Sequence, residues 1–244
     1  MDTHFLLLAL FTTVAYTIQA MTGFGSLIIA ITLGSHLYPV ELLLATLVPV
    51  DVLLCAYIAA RNRESIQGRL LLRGIVPFMG LGLASGIAVF QFVHGEALKR
   101  ALGLLVVFLC SRELYRLVAG RGNPAFLSAW KYRLYILAAG IVQGVFASGG
   151  PLTVYAVSRF NLPKAAFRST LSSLWMLTNS VLAASYLATG RLTLETLRFV
   201  SGLVPFVLLG LVIGDRLHHR VNEVHFRMAV FAVLILAGLS VLIG

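Results

Sequence analysis

Charge is scarce in this sequence: 11% of its 244 residues are Asp, Glu, Lys or Arg, against roughly 25% in a soluble domain. With 59% apolar residues and a mean hydropathy of +0.93, a water-soluble fold is excluded, because long apolar stretches with few charges are what a bilayer demands. Cysteine is nearly absent. Cys55 and Cys110 both lie in apolar stretches and read as small core residues rather than a disulfide. Acidic residues are scarce as well, 9 against 19 Lys and Arg, for a formal charge of +10. No basic run interleaved with aromatics accompanies that excess, so nucleic acid is not an expected partner. Basic residues instead gather in the cytoplasmic loops of membrane proteins.

Alternating strand patterns are missing, which leaves helices as the spanning structure. Enzyme signatures are missing too: there is no zincin His/Glu spacing, Gly-x-Ser-x-Gly, P-loop or Rossmann fingerprint. No catalytic residue, cofactor or metal is therefore expected. His218, His219 and His225, beside Arg216 and Arg220, read as a solvated loop. The apolar stretch from Met1 to Ala20 has no basic leader, only Asp2 and His4 being ionisable. It reads as a first membrane segment rather than a removed signal.

What is present is eight apolar stretches, roughly 5–34, 40–60, 70–92, 97–119, 132–158, 165–189, 196–214 and 223–243. They fall into two related halves, 1–120 and 132–244, joined by a loop over 121–131. An offset of 124 pairs Ile18-Gln19 with Val142-Gln143, Gly25 with Gly149, Pro39 with Pro163 and Thr46 with Thr170. An offset of 128 pairs Gly74, Pro77, Phe78, Gly82 and Gly86 with Gly202, Pro205, Phe206, Gly210 and Gly214, and Arg100 corresponds to Arg227 at 127. Chance does not hold order and offset over such a length, so the chain is an internal duplication of the kind transporters use.

The first and fifth stretches are longer than the about 20 residues that cross the hydrocarbon core, and each carries a breaker near its middle. Thr22-Gly23-Phe24-Gly25-Ser26 stands in one, Ala147-Ser148-Gly149-Gly150-Pro151 in the other. Paired glycines let the backbone turn, and proline suits the first turn of a new helix. Charge distribution favours two chain reversals. If all eight stretches cross, the Lys and Arg tally on the two sides is 11 against 8; if stretches one and five turn back, it is 15 against 4. The second arrangement obeys the positive-inside rule, inverts the halves relative to each other and puts both termini outside the cytoplasm.

A helix that begins inside a membrane offers unpaired N–H groups and a partial positive charge, a setting for an anion that needs no buried Lys or Arg. Gly23, Gly25, Gly149 and Gly150 are expected to shape such a cradle, with Thr22, Ser26 and Ser148 adding hydroxyls and Gln19 and Gln143 adding amides from the preceding turn. Gly82-x-x-x-Gly86 and Gly210-x-x-x-Gly214, whose intervening residues are apolar but for Ser85, read as helix-packing motifs instead. On the following helices, Thr46, Thr170 and Asn179 are further candidates for the substrate. Asp51, a carboxylate well inside an apolar stretch, is a candidate for proton or other ion coupling; its repeat equivalent is Trp175, which places it outside the symmetric cradle. Arg168, at the cytoplasmic end of the sixth stretch, is a candidate for drawing anions in.

These motifs resemble the sulfite exporter TauE/SafE family. Gln19-Ala20-Met21-Thr22-Gly23-Phe24-Gly25 is similar to the Q-G-x-T-G-F-G stretch of one large branch. Gly144 to Pro151, followed by Tyr155, is similar to that branch's second glycine motif, and Phe167-Arg168-Ser169-Thr170-Leu171 resembles its F-R-A-T-L element. Two positions depart: Thr32 stands where Pro is common, and Ser26 where a large apolar residue is usual. The resemblance implies an inner-membrane carrier of small sulfur-containing anions such as sulfite, thiosulfate or organosulfonates, with export the usual direction. The sequence thus predicts an all-α integral membrane transporter whose partners are a small anion, a coupling ion such as the proton, and the lipid bilayer. A passive anion channel, or a membrane sensor or enzyme using the same cavity, is the alternative the residues leave open.

Overall fold

The computed structural model describes residues 3–119, 128–217 and 223–243. The interhalf loop lies mostly outside them, as do His218, His219 and the side chain of His225. Among the described residues there is no strand, and ten α-helices follow one another. They are α1 (Thr3–Thr22), α2 (Ser26–Gly34), α3 (Val40–Arg61), α4 (Val76–Phe90), α5 (Gly95–Val118), α6 (Ala129–Phe146), α7 (Gly150–Val157), α8 (Lys164–Ala188), α9 (Leu194–Leu217) and α10 (Glu223–Ile243). A π-helical turn, Leu70–Ile75, leads into α4. Four helical stretches among the described residues are long and apolar enough to cross a bilayer: Thr3–Thr22, Val40–Arg61, Leu70–Phe90 and Leu194–Leu217. Large apolar side chains such as Leu53, Leu81, Phe108 and Leu208 stand exposed on the outside, the surface that hydrocarbon covers and water would not tolerate.

The first apolar stretch is two helices. α1 stops after Thr22 and α2 starts at Ser26, with Gly23 and Gly25 between them at φ of 84° and 102°. Only glycine holds such angles without strain. The fifth stretch does the same: α6 stops at Phe146 and α7 starts at Gly150. Here the residue in the left-handed region is Ala147, at φ 50°. Gly23 and Ala147 are 124 positions apart, and each amide closes its helix in the same way, Gly23 onto the Gln19 carbonyl at 2.7 Å and Ala147 onto the Gln143 carbonyl at 2.9 Å. Pro39 and Pro163, likewise 124 apart, precede α3 and α8 in matching extended conformations, a position where a missing N–H costs nothing.

Packing repeats as well. α4 lies on α6, and α9 lies on α1. A Cβ on Gly82 would be driven into the Leu137 carbonyl and onto Gly140, and one on Gly210 into the Thr13 carbonyl at 2.6 Å and onto Tyr16. Gly86 approaches Ile141 and Gly144 as Gly214 approaches Thr17 and Ala20. Each member of these contacts is the repeat partner of its counterpart, at 128 for the glycines and 124 for the helices they meet. Each half thus lends a helix to the other through a backbone-close, small-residue seam. α3 against α8 and α5 against α10 complete the assembly, and the two broken helices are held at its centre.

Candidate functional site

The breaks place two short helices head to head around one small buried cavity. Gly25, Ser26, Leu27 and Ile28 line it from the start of α2, and Ala147, Ser148, Gly150 and Pro151 from the start of α7. Gln19, Gln143, Asp51, Asn179 and Trp175 close the rest. Every ionisable or amide side chain here is buried, Asp51 and Asn179 at 1% exposure each.

Two matching lines of hydrogen bonds run from the breaks. In the first half the Ser26 amide donates to Gln19 Oε1 at 3.3 Å, Gln19 Nε2 donates to Cys55 Sγ at 3.2 Å, and Cys55 Sγ donates to Asp51 Oδ2 at 3.3 Å. In the second half the Gly149 amide donates to Gln143 Oε1 at 2.9 Å, Gln143 Nε2 donates to Asn179 Oδ1 at 2.6 Å, and Asn179 Nδ2 donates to Asp51 Oδ2 at 2.8 Å. Gln19 with Cys55 is the repeat image of Gln143 with Asn179. Ser26 Oγ also donates to Asp51 Oδ1 at 2.9 Å and contacts Gln19 Oε1. Both lines therefore end on one carboxylate, and a carboxylate is the acceptor a convergence of donors calls for.

The site residues expected from the sequence divide into three groups. Gln19, Gly25, Ser26, Gln143, Ser148, Gly150, Asn179 and Asp51 line the cavity. Thr22, Gly23 and Gly149 build its walls without facing it. The Thr22 hydroxyl sits 2.9 Å from the Ile18 and Phe24 carbonyls, Gly23 brings the chain against the Arg168 backbone while its carbonyl accepts from Trp175 Nε1 at 3.2 Å, and Gly149 lies against the Ala139 carbonyl. Thr46 and Thr170 are not brought to the cavity. Thr46 is buried with no hydroxyl partner among the described residues, and Thr170 Oγ1 accepts from the Gln67 amide at 3.0 Å, tying down the loop ahead of the π turn. Arg168 pairs with Asp215 on α9 at 2.8 Å, so its charge is answered within the protein.

Two corrections follow. Asp51 does not stand apart from the cradle; its carboxylate lines the cavity and accepts from Ser26, Cys55 and Asn179, where the hydrogen-bond lines of both breaks meet. Cys55, read as core filler, is the link between Gln19 and Asp51. The signal for Cys55 was the 124-residue offset itself, which pairs it with Asn179. Trp175 also lines the cavity, and nothing in its sequence context beyond that same offset points there.

Chemically the arrangement offers amide dipoles and a carboxylate, with no Lys or Arg among the described residues that line the cavity. Among the described residues no cluster of three metal-ligating side chains exists. Interrupted helices around a buried polar pocket are a recurring design of membrane transporters. The chain belongs to the sulfite exporter TauE/SafE family, whose model matches residues 8–241. It is also 26% identical over 167 residues, 65% of its length and 67% of the relative's, to a probable inner membrane transporter protein, TsaS, of Comamonas testosteroni. No solved structure matches the chain. The protein is thus a multi-pass transporter of the inner membrane.

Proposed function

We propose that this protein carries a small sulfur-containing oxyanion across the inner membrane by alternating access, with the anion held between the heads of α2 and α7 and a proton carried on Asp51. The observation that carries this reading is the pairing of two broken helices, each presenting its first turn to the same cavity, with Asp51 at the end of both donor lines. The leading N–H groups of a helix have no intrahelical acceptor and favour negative charge. An ionised Asp51 opposes that attraction, by about 4 kcal/mol for two unit charges 4 Å apart at an effective dielectric constant of 20. Once protonated, it no longer repels the anion, and as a neutral acceptor it holds the donors less strongly. Anion binding and proton binding are therefore mutually reinforcing, which is the thermodynamic content of coupling.

In this reading all eight apolar stretches enter the bilayer, the first and fifth turn back at their breaks, and the halves are inverted with both termini outside the cytoplasm. The charge tally of 15 against 4 supports that topology, and the exchanged α4–α6 and α9–α1 seams suit two halves that rock against each other. The test is uptake into vesicles containing the purified protein, with sulfite, thiosulfate, an organosulfonate and a carboxylate compared with and without a pH gradient. Saturable flux of a sulfur oxyanion driven by the gradient supports the proposal. Flux of none of these anions, or flux at channel rates without saturation, contradicts it.

A further inference from the structure

Beyond the cavity, α7 leads to a second polar feature that the transport site does not use. Tyr155 lies one helical turn past Pro151 and on the same face. Three guanidinium groups converge on its ring: the central carbon of Arg112 is 4.0 Å from the ring centroid, and those of Arg116 and Arg159 are each 4.4 Å away. Tyr135 packs against the same ring at 4.7 Å. Arg112 and Arg116 share one carboxylate, Glu113, at 3.6 and 3.0 Å, so that pair retains positive charge. The Arg112 and Arg116 side chains are only 23% and 21% exposed, and Arg159 is buried. Arginines that merely anchor a helix extend outward to the headgroups; these fold inward onto an aromatic face at the tail of a cavity-lining helix.

The duplication supplies the comparison. At the equivalent places of the other half, Tyr155 is matched by Ile31, Arg159 by Ser35, Arg112 by Leu239 and Arg116 by Ile243. The depression beyond α2, at the corresponding end of the other short helix, is lined by Glu41, Glu96, Lys99 and His36. A cavity that is nearly symmetric at its centre therefore has a cationic approach on one side and a mixed, partly acidic one on the other.

We propose that Arg112, Arg116 and Arg159, seated on Tyr155, form an oxyanion-binding vestibule on one side of the cavity, through which the carrier captures its anion. The inference rests on the transport reading. In the proposed topology this side is cytoplasmic, so capture from inside the cell is favoured. A fixed charge cannot alter the final gradient, which the coupling sets. It lowers the concentration at which its own face saturates, and it makes that concentration sensitive to ionic strength.

The experiment has a kinetic arm and a binding arm. In vesicles of neutral lipid with oriented protein, the double variant R112Q/R116Q is expected to raise the half-saturating sulfite concentration about tenfold at the vestibule face only, with a flatter salt dependence. Should the double variant not fold, R116Q alone carries the test with a smaller shift in the same direction. Equal shifts at both faces, or none at either, overturn the vestibule. In neutral detergent, equilibrium dialysis of radiolabelled sulfate reads the site without transport: the wild type is expected to bind and R112Q/R116Q to lose one class of site. That loss stands even if no sulfur anion is moved, a result that would sink the transport reading and leave the vestibule. Unchanged sulfate binding overturns it. A shift that appears only when phosphatidylglycerol is present assigns the cluster to lipid headgroups and overturns it as well.

Discussion

Asn179 on α8 donates to Asp51 on α3 at 2.8 Å across the boundary between the two halves, and it does so at the point where the hydrogen-bond lines from both helix breaks end. Its repeat partner Cys55 reaches the same carboxylate oxygen at 3.3 Å. One half thus supplies an amide and the other a thiol at equivalent places, while the carboxylate itself has no repeat counterpart. In the proposed mechanism this one carboxylate without a repeat partner is where the proton is held.

Asp51→Asn keeps the shape and removes the proton site. The variant is expected to fold, since the new amide's oxygen can still accept from Asn179 and its NH2 can donate to the Ser26 hydroxyl oxygen. Its anion flux should lose its response to an imposed pH gradient. Vesicle flux measured with and without the gradient checks this, and a D51N protein that remains gradient-driven contradicts the coupling role.

Gln143→Leu leaves the Gly149 amide and the Asn179 carbonyl oxygen without partners in a buried place. Each unsatisfied group costs about 1–3 kcal/mol, so the melting temperature in detergent should fall clearly, and Gln19→Leu should do the same by stranding the Ser26 amide. Equal stability of both variants and the wild type would show that these amides are not holding the breaks.

The glycines separate into packing and cavity roles. Gly82→Ala would push a methyl into the Leu137 carbonyl, and overpacking of this kind costs about 1–3 kcal/mol. Gly80, in the same helix, has nothing within 4 Å of its would-be Cβ, so Gly80→Ala should be neutral or mildly stabilising. At Gly150 the added methyl meets only Phe24 at ordinary contact distances of 3.5 and 3.8 Å. Gly150→Ala should therefore fold normally yet weaken anion binding, and Gly150→Leu should abolish transport in a folded protein. Thermal melts and flux on the same samples distinguish the three.

The left-handed residue gives a fourth test. Ala147 holds φ 50° where its counterpart is Gly23, and a non-glycine residue there is strained by about 1–2 kcal/mol. Ala147→Gly should relieve that strain and be neutral to stabilising. Gly23→Ala should destabilise, because it adds the same strain and also puts a methyl 3.1 Å from the Arg168 Cα. Opposite shifts in melting temperature are the expected result.

Much of the architecture was readable in the residues because membrane folding has few degrees of freedom. Apolar length marks helices, and the glycine groups at Gly23 and Gly25 and at Gly149 and Gly150 stand where the helices end. The offset of 124 marked Gln19 and Gln143 as equivalents before any contact was known. What it could not show was direction of approach. Thr46 and Thr170 are repeat partners just as the glutamines are, yet their helix faces turn away from the cavity. Arg168 carried the right charge, but an acid 47 positions away in the chain, Asp215, claims it. The place of Asp51 and Cys55 in the cradle depends on how α3 packs on α8, a tertiary fact with no local signature. α5 and α8 carry polar and charged side chains that lower their apolar character. In α8 Asn179 lines the cavity, and in α5 Arg112 and Arg116 meet Tyr155.

The central claim is that the cavity takes up an anion together with a proton. Calorimetric titration of the purified protein with thiosulfate, whose charge is constant across the neutral range, in buffers of different ionisation enthalpy measures both at once. The account predicts saturable binding with uptake of about one proton per anion, and loss of that uptake in D51N. Anion binding with no proton uptake in the wild type, or uptake that survives in D51N, would contradict it.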